Sequence, residues 1–460
     1  MKDFQSLYFI GAGGIGMAAL ERYFLAKGKK IAGYDRTVTE LTRALEREGV
    51  EIVYDENPDL IPDYCCNRES TLVVYTPAVP ESHEGLRFFR QHGFKVVKRA
   101  KLLGIVTEHS KGLCFAGTHG KTTTSSMAAH ILQVSGIGSN AFLGGVLRNY
   151  NSNCLLSDTS PYSVIEADEF DRSFHTLSPY IAVITSTDPD HLDIYGTYEN
   201  YLESFAHFTE LIRPDGTLLV HTGLNLSPRV HEGVKTYTYS MGEGDFHAAN
   251  IRKGDGNIMF DFVTPGETIA DIRLGVPIDI NIENAVAAMA VCWLVGVQAA
   301  AMRQAIATFQ GPKRRFEFWL KEPGENGKVV IDDYAHHPSE LRASIASVKD
   351  LYPGRKITVI FQPHLYSRTR DLAREFASAL SMADELYLLP IYPAREQPIA
   401  GVTSEIILNR VTCPVRQIYT KENLLSSIHL LNFDVLLTVG AGDIANLLPQ
   451  ICEEVKKQQR

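Results

Sequence analysis

The stretch "FAGTHGKTTT", residues 115–124, decides how this chain is read. Its tail, Gly120-Lys121-Thr122, is that of a phosphate-binding loop. The common form of such a loop carries a glycine five residues before the Gly of Gly-Lys-Thr, where this chain has Phe115. What remains is a shorter loop, Gly117-Thr118-His119-Gly120-Lys121-Thr122. The apolar run Leu113-Cys114-Phe115-Ala116 before it reads as a strand, and the segment from about Thr122 onward reads as a helix. Backbone N–H groups of a turn at that junction converge on phosphate oxygens. Lys121 would offset β- and γ-phosphate charge, and the Thr122 hydroxyl would ligate Mg2+, which prefers oxygen. The competing reading is a glycine-rich turn with Lys121 merely solvated. Gly-Lys-Thr falling at a strand–helix junction favours the nucleotide.

Around this loop, short β-branched runs alternate with amphipathic helical stretches, the signature of α/β parallel sheets. The 460 residues predict about three domains. The expected divisions are 1–109, 110–312 and 313–460, with Gly311-Pro312 as a hinge. Residues 235 to 275, rich in Gly, Thr and isolated charges, read as a small antiparallel patch inside the middle domain. Apolar residues make up 45% and charged residues 22%, and no apolar run is long enough to span a membrane. The net charge of −9 argues against a nucleic-acid surface but leaves room for small anionic ligands. Seven scattered cysteines without a C-x-x-C pair suggest a reducing, cytoplasmic setting.

Further candidates fall where strands end. Gly11-Ala12-Gly13-Gly14-Ile15-Gly16 fits G-x-G-x-x-G between a strand and a helix, and Asp35 closes the next strand. Any nucleotide diphosphate satisfies that turn, so NAD is not required; a purely structural turn is the alternative. Glu166-Ala167-Asp168-Glu169-Phe170-Asp171 follows one strand of the middle domain, and Thr185 to His191 follows another. Glu166 and His191 there are candidates to hold a second Mg2+ or orient its waters, against a surface acidic loop as the plainer reading. In the third domain, Asp332-Asp333-Tyr334-Ala335-His336-His337-Pro338 and Phe361 to Arg368 bring His, Tyr and Arg to one sheet edge. Arg314 and Arg315 sit at the hinge, either to reach a nucleotide or as a solvated basic patch. Gly440-Ala441-Gly442-Asp443 lacks a third glycine and reads as structural.

Taken together, A-G-T-H-G-K-T-T-T (116–124), E-A-D-E-F-D (166–171), D-H-L-D (190–193), D-D-Y-A-H-H-P (332–338) and F-Q-P-H-L-Y-S-R-T (361–369) resemble the Mur ligase family. The resemblance runs the length of the chain, in order. It implies three domains: a Rossmann-like N-terminal domain for a UDP-sugar, a central P-loop ATPase-like parallel sheet, and a Rossmann-like C-terminal domain for the amino acid. Within the family the pattern is similar to the branch that joins L-alanine to the lactyl carboxylate of UDP-N-acetylmuramate through an acyl phosphate. ATP and Mg2+ are then the expected cofactors.

The resemblance also assigns residues. Gly117, Thr118, His119, Gly120, Lys121, Thr122 and Thr123 would hold ATP phosphates, with Asn281 and Asn284 at adenine and Arg314 or Arg315 and Asp332 beside the nucleotide. Thr122, Glu166 and His191 match magnesium positions. Gly11, Gly13, Gly14, Gly16, Asp35 and Thr76 would face the UDP-sugar. Tyr334, His336, His364 and Arg368 match the amino-acid and acyl-phosphate end, and Lys121, His336, His364 and Arg368 are the catalytic candidates.

Two departures stand out. The family's usual His before the first asparagine is Ile280 here, and no lysine lies between Lys121 and Lys235 to serve as the carbamylated lysine of sister ligases. Three rival readings stand beside this one: a recycling ligase that attaches a whole peptide to the same sugar nucleotide, an NAD-dependent dehydrogenase, and a non-catalytic nucleotide-binding regulator. The dehydrogenase leaves Lys121, Thr122 and Glu166 without roles.

Overall fold

The computed structural model describes residues 4–254, 256–324, 327–394 and 396–457, with the side chains of Leu192 and Asp193, part of the D-H-L-D motif, outside that description. The chain divides into two compact units: Met1–Asn250, Phe260–Ile272 and Ile282–Phe309 form one, and Ile251–Met259, Arg273–Asn281 and Gln310–Arg460 the other.

The first unit holds two sheets. The smaller runs from edge to edge as Glu51–Val53, Lys30–Tyr34, Ser6–Ile10, Thr71–Tyr75 and Lys95–Lys98, all parallel. Leu7, Phe9 and Ile10 are almost wholly buried, as expected of a central strand covered on both faces. Chain direction across the sheet reverses at Ser6–Ile10, and the glycine turn leaves its carboxyl end. Ligands in open α/β sheets settle at such a switch point.

The larger sheet is ordered Lys235–Tyr239, Thr217–His221, Pro179–Ile184, Lys111–Ala116, Tyr162–Glu166, Asn140–Leu147 and Ser152–Leu155. Only the last pair is antiparallel. Lys111–Ala116 lies at its switch point, flanked by the strands that end at Glu166 and Ile184. The expected antiparallel patch at 235–275 is therefore too wide: Lys235–Tyr239 is the parallel edge strand here, while His247–Gly254, Asn257–Val263 and Thr268–Arg273 make a separate three-stranded sheet. Glycine and threonine content marked both segments as irregular; which sheet each joins depends on distant partners.

The two sheets of this unit share a core. Helix Ile15–Ala26 packs on the strands at 140–147 and 152–155, and Asn153 donates its amide to Ile15 O at 2.8 Å. Helix Arg99–Glu108 packs on the turn Phe170–Thr176.

The second unit is built on a six-stranded sheet, ordered Glu317–Lys321, Val329–Asp333, Val435–Val439, Ile357–Phe361, Glu385–Leu388 and Val415–Ile418. All pairs but the first are parallel. Register pairs Asp333 with Val439 and Val439 with Phe361, so the segments at 334, 440 and 362 leave the sheet side by side. No helix among the described residues is long and apolar enough to cross a membrane.

The packing of helix 99–108 is tight enough to test. A β-carbon at Gly104 would stand 2.1 Å from Thr176 O, a backbone atom held in place by the Thr176 Oγ1 bond to Ala100 O at 2.7 Å. Gly104→Ala should cost about 1–3 kcal/mol in urea unfolding, the usual range for overpacking; wild-type stability would show that the helix has room to shift.

Candidate active site

The phosphate loop connects strand Lys111–Ala116 to helix Lys121–Val134 in four residues. So short a connection demands unusual backbone. Gly117 sits at φ +141°, and a β-carbon on it would stand 2.2 Å from Thr185 Oγ1 and 2.7 Å from Ser186 N. Gly120, at φ +84°, occupies the N-cap in the left-handed region that glycine adopts without strain. The helix thus starts with Lys121, and its unpaired N–H groups and positive dipole end face the loop.

The following strand end clamps the loop. Thr185 Oγ1 donates to His119 O at 2.5 Å, Ser186 Oγ accepts from His119 N at 2.7 Å, and Thr118 N donates to Ser186 O at 3.2 Å. Thr118 Oγ1 donates to Asp188 O at 2.7 Å and exchanges a hydrogen bond with Tyr201 OH at 2.9 Å. From the helix side, Thr124 Oγ1 donates to Asn284 Oδ1 at 3.1 Å. Asn281 is buried and gives its amide to Val276 O at 3.1 Å. The His119 side chain is exposed, 3.7 Å from Asp188, and Thr123 follows on the first helical turn.

Lys121 bends back over the loop. Its Nζ donates to Gly117 O at 2.5 Å and pairs with Glu169 at 2.7–2.8 Å. Thr122 Oγ1 donates to Glu166 Oε1 at 2.9 Å, while Glu166 Oε2 accepts Gly144 N–H at 2.8 Å. A hydroxyl and a carboxylate side by side are the oxygen donors Mg2+ favours, so the pair fits that ion. His191, at φ +52°, is turned toward Asp190 (3.7 Å) and stands edge-on to Phe170 (5.2 Å). Among the described residues no three His, Cys, Asp or Glu side chains form a ready metal cage. Mg2+ commonly takes one or two protein carboxylates and completes its shell with phosphate and water.

The glycine turn at 11–16 is braced from within. Asp35 accepts Gly13 N–H at 2.7 Å on one oxygen and Thr37 N–H at 3.0 Å on the other. Thr76 abuts Gly11, and Arg99 lies against Gly16. Beside the turn opens a cavity of about 380 Å3 whose lining includes Gly14, Gly16, Thr76, Arg99, Glu166 and Asp168. Two sets of sequence candidates, the glycine turn and Glu166, therefore share one cavity. Arg99, half-buried and 3.9 Å from Asp168, supplies its cation. Sequence reasoning missed Arg99; the available signal was a basic pair, Lys98-Arg99, at the end of a strand. It also missed Glu169, although the acidic motif contains it.

In the second unit, Arg314 is tied down. Its guanidinium donates to buried Asp332 at 3.2 Å, to Gly442 O at 2.9 Å and to Gly440 O. Burial raises the Asp332 carboxyl, with Arg314 opposing. The Gly440–Asp443 turn, read as structural, is where Arg314 docks. Arg314 and Arg315 both lie over the Tyr334 ring, at 5.1 and 5.5 Å. Tyr334, His336 and His364 follow in a row, with ring centroids 5.2 and 6.2 Å apart. Burial lowers the His336 pKa although Glu340 draws it up. Asp333 is pushed up to about 6, chiefly by burial. Arg368 Nη1 is buried without a hydrogen-bond partner among the described residues, a donor suited to an anionic ligand.

A phosphate loop at a sheet switch point, with an acid beside its Thr, defines a nucleotide-dependent enzyme of the α/β class. The comparisons give the family. The Mur ligase family catalytic domain matches residues 6–111, the Mur ligase middle domain 115–292 and the Mur ligase glutamate ligase domain 314–442. The chain belongs to the Mur ligase family, whose members are ATP-dependent ligases. It is 60% identical over 456 residues to UDP-N-acetylmuramate–L-alanine ligase of Parabacteroides distasonis, covering 99% of this chain and 98% of that one. It is 56% identical to the enzyme of the same name from Phocaeicola vulgatus, over all of both chains. Among solved structures, UDP-N-acetylmuramate-alanine ligase of Thermotoga maritima aligns with a TM-score of 0.77 at 26% identity, covering 98% of this chain and 99% of that one. A murein peptide ligase from Psychrobacter arcticus shares the fold, with a TM-score of 0.61 at 20% identity over 98% of each chain.

The loop geometry generates a prediction. Gly117→Ala should weaken ATP binding at least about 100-fold by calorimetry, since phosphate donors lost to misplacement cost about two decades or more. Near-wild-type affinity would mean that this turn does not carry the phosphates.

Proposed function

We propose that this chain joins the amine of L-alanine to the lactyl carboxylate of UDP-N-acetylmuramate at the expense of ATP, in peptidoglycan synthesis. The observation that carries the reading is the cavity lined both by the glycine turn and by Glu166, which itself bonds Thr122 of the phosphate loop. A sugar nucleotide with its diphosphate on the turn, near Arg99, would present its acid end toward the phosphate loop.

The chemistry follows from carboxylates being poor electrophiles. A lactyl oxygen attacks the γ-phosphorus of ATP, the bond to the β-phosphate oxygen breaks, and ADP departs. Lys121 and the loop N–H groups would stabilise the transferring group, since phosphoryl transfer depends on positioning and electrostatics. Mg2+, held by Thr122 and Glu166 with His191 as a further candidate, supplies charge neutralisation on the phosphates when bound. The alanine nitrogen then attacks the acyl carbon, the amide forms and phosphate leaves, while the amine proton passes to a base. His336, whose pKa burial lowers, or a carboxylate such as Asp333 would meet that need. Arg368 and Arg315 are proposed to bind the alanine carboxylate or the phosphate.

We assign the sugar-nucleotide domain to 1–109, the ATP domain to 110–312 and the amino-acid domain to 313–460, with Asn281, Asn284 and Asp332 toward the nucleotide. A cytoplasmic setting belongs to the same proposal, supported by the scattered cysteines without a C-x-x-C pair.

The recycling reading, in which a peptide replaces alanine, finds support in the shared fold of the murein peptide ligase. Identity of 56–60% to alanine-adding relatives weighs against it. Incubation with ATP, Mg2+, UDP-N-acetylmuramate and either L-alanine or a murein peptide, followed by mass spectrometry, separates the two. Product with alanine is expected; product only with the peptide would overturn the proposal. Lys121→Ala should lower phosphate release by about 100- to 1000-fold, with binding of the sugar nucleotide retained; near-normal turnover would remove Lys121 from the mechanism. Glu166→Gln should shift the Mg2+ titration strongly upward, and an unchanged curve would take Glu166 out of the metal site.

A further inference from the structure

Lys121 has a part in the chemistry above but its partner Glu169 has none, yet the pair is among the most buried ion pairs in the first unit. The Glu169 side chain is 2% exposed and that of Lys121 15%. An ammonium has three protons to donate. Those of Lys121 are directed at Gly117 O, at Thr118 O 3.5 Å away, and at Glu169. Donors committed in this way reach a phosphate only by exchange.

The carboxylate is not free to follow. Tyr195 OH donates to the Glu169 backbone carbonyl at 2.5 Å, and the Tyr195 ring stands edge-on to Tyr201 at 4.9 Å. Tyr201 OH in turn meets Thr118 of the loop at 2.9 Å. The same two tyrosines thus fix both the loop and the segment that carries Glu169. So little exposure leaves the pair poorly screened by salt, unlike a surface pair.

From this geometry we infer that Glu169 is an internal anion that competes with the triphosphate of ATP for Lys121. It acts as a positioning residue. It holds the ammonium over the loop and sets how tightly the loop binds nucleotide, because each binding event must break the Lys121–Glu169 contact. The inference rests on ATP being the nucleotide of this loop.

The test measures binding of ATP in the presence of EDTA, so that neither turnover nor Mg2+ at Glu166 contributes. Glu169→Gln keeps the shape and removes the charge. It should bind ATP roughly three- to tenfold tighter than wild type, the scale expected when one competing ion pair is lost. In a Lys121→Met background the same change should have no effect, an outcome that a merely structural role for Glu169 does not require. In assays of turnover, the KM for ATP should fall with kcat changed much less. Glu169→Asp, which keeps the charge but shortens its reach, serves if Glu169→Gln folds poorly, and should also tighten binding. Unchanged or weaker ATP binding in a variant that melts like wild type would overturn the inference. So would weaker binding in both variants together with lowered melting temperatures, which would make Glu169 a purely structural ion. If wild type binds ATP and the variants do not tighten, only this inference fails. A wild type that binds no ATP even when Mg2+ is restored ends both it and the functional reading.

Discussion

A strand has to become a helix within four residues while its N–H groups stay available to an anion, and the rest of the site depends on that turn. Gly117 meets the constraint by letting Thr185 and Ser186 close on it to distances that no side chain would permit. The hydrogen bonds that Thr185 donates to His119 O and Ser186 accepts from His119 N, and the bond from Thr124 to Asn284, then fix the turn from both sides. With the turn fixed, Lys121 and Thr122 fall on the first turn of the helix, and Thr122 meets Glu166. Loosening any of these contacts would move the lysine and the hydroxyl together, because both are carried by one helix start.

The larger logic is that of parallel sheets. In each of the three large sheets the chemically interesting residues leave the carboxyl ends of strands: Gly11 to Gly16 and Thr76, then Gly117 to Thr122 with Glu166, then Tyr334, His364 and Gly440. Helix N-termini gather at the same edges, which suits phosphates and carboxylates alike. Fold alone does not choose the reaction; the acid beside Thr122 and the cavity it shares with the glycine turn narrow the choice.

Much of this was legible in the sequence because it rests on local signals. Strand ends, the Gly-Lys-Thr junction and the acidic motif were read from residues within about ten positions of one another, and the large strands lie where alternation and β-branched runs put them. What was not legible depends on long-range partners. Asp35 stands at the spacing of a ribose-binding acid, and its carboxylate also braces the turn by accepting Gly13 N–H and Thr37 N–H, which the spacing alone did not indicate. Arg314 stood out as a hinge arginine, but Asp332 and the carbonyls of Gly440 and Gly442, more than a hundred residues away in the latter case, hold its guanidinium. Arg99 and Glu169 were passed over because neither is unusual by itself; each acquires meaning only from the loop it packs against. The edge strand Lys235–Tyr239 was assigned to the wrong sheet for the same reason, since pairing to Thr217–His221 is not encoded in its own five residues.

The most direct measurement is a crystal structure of the chain grown with Mn2+ and a non-hydrolysable ATP analogue, read by the anomalous signal of the metal. The account predicts the triphosphate cradled by residues 117–122 and the manganese peak between Thr122 and Glu166. A triphosphate bound elsewhere, or a metal peak remote from Glu166, would contradict it.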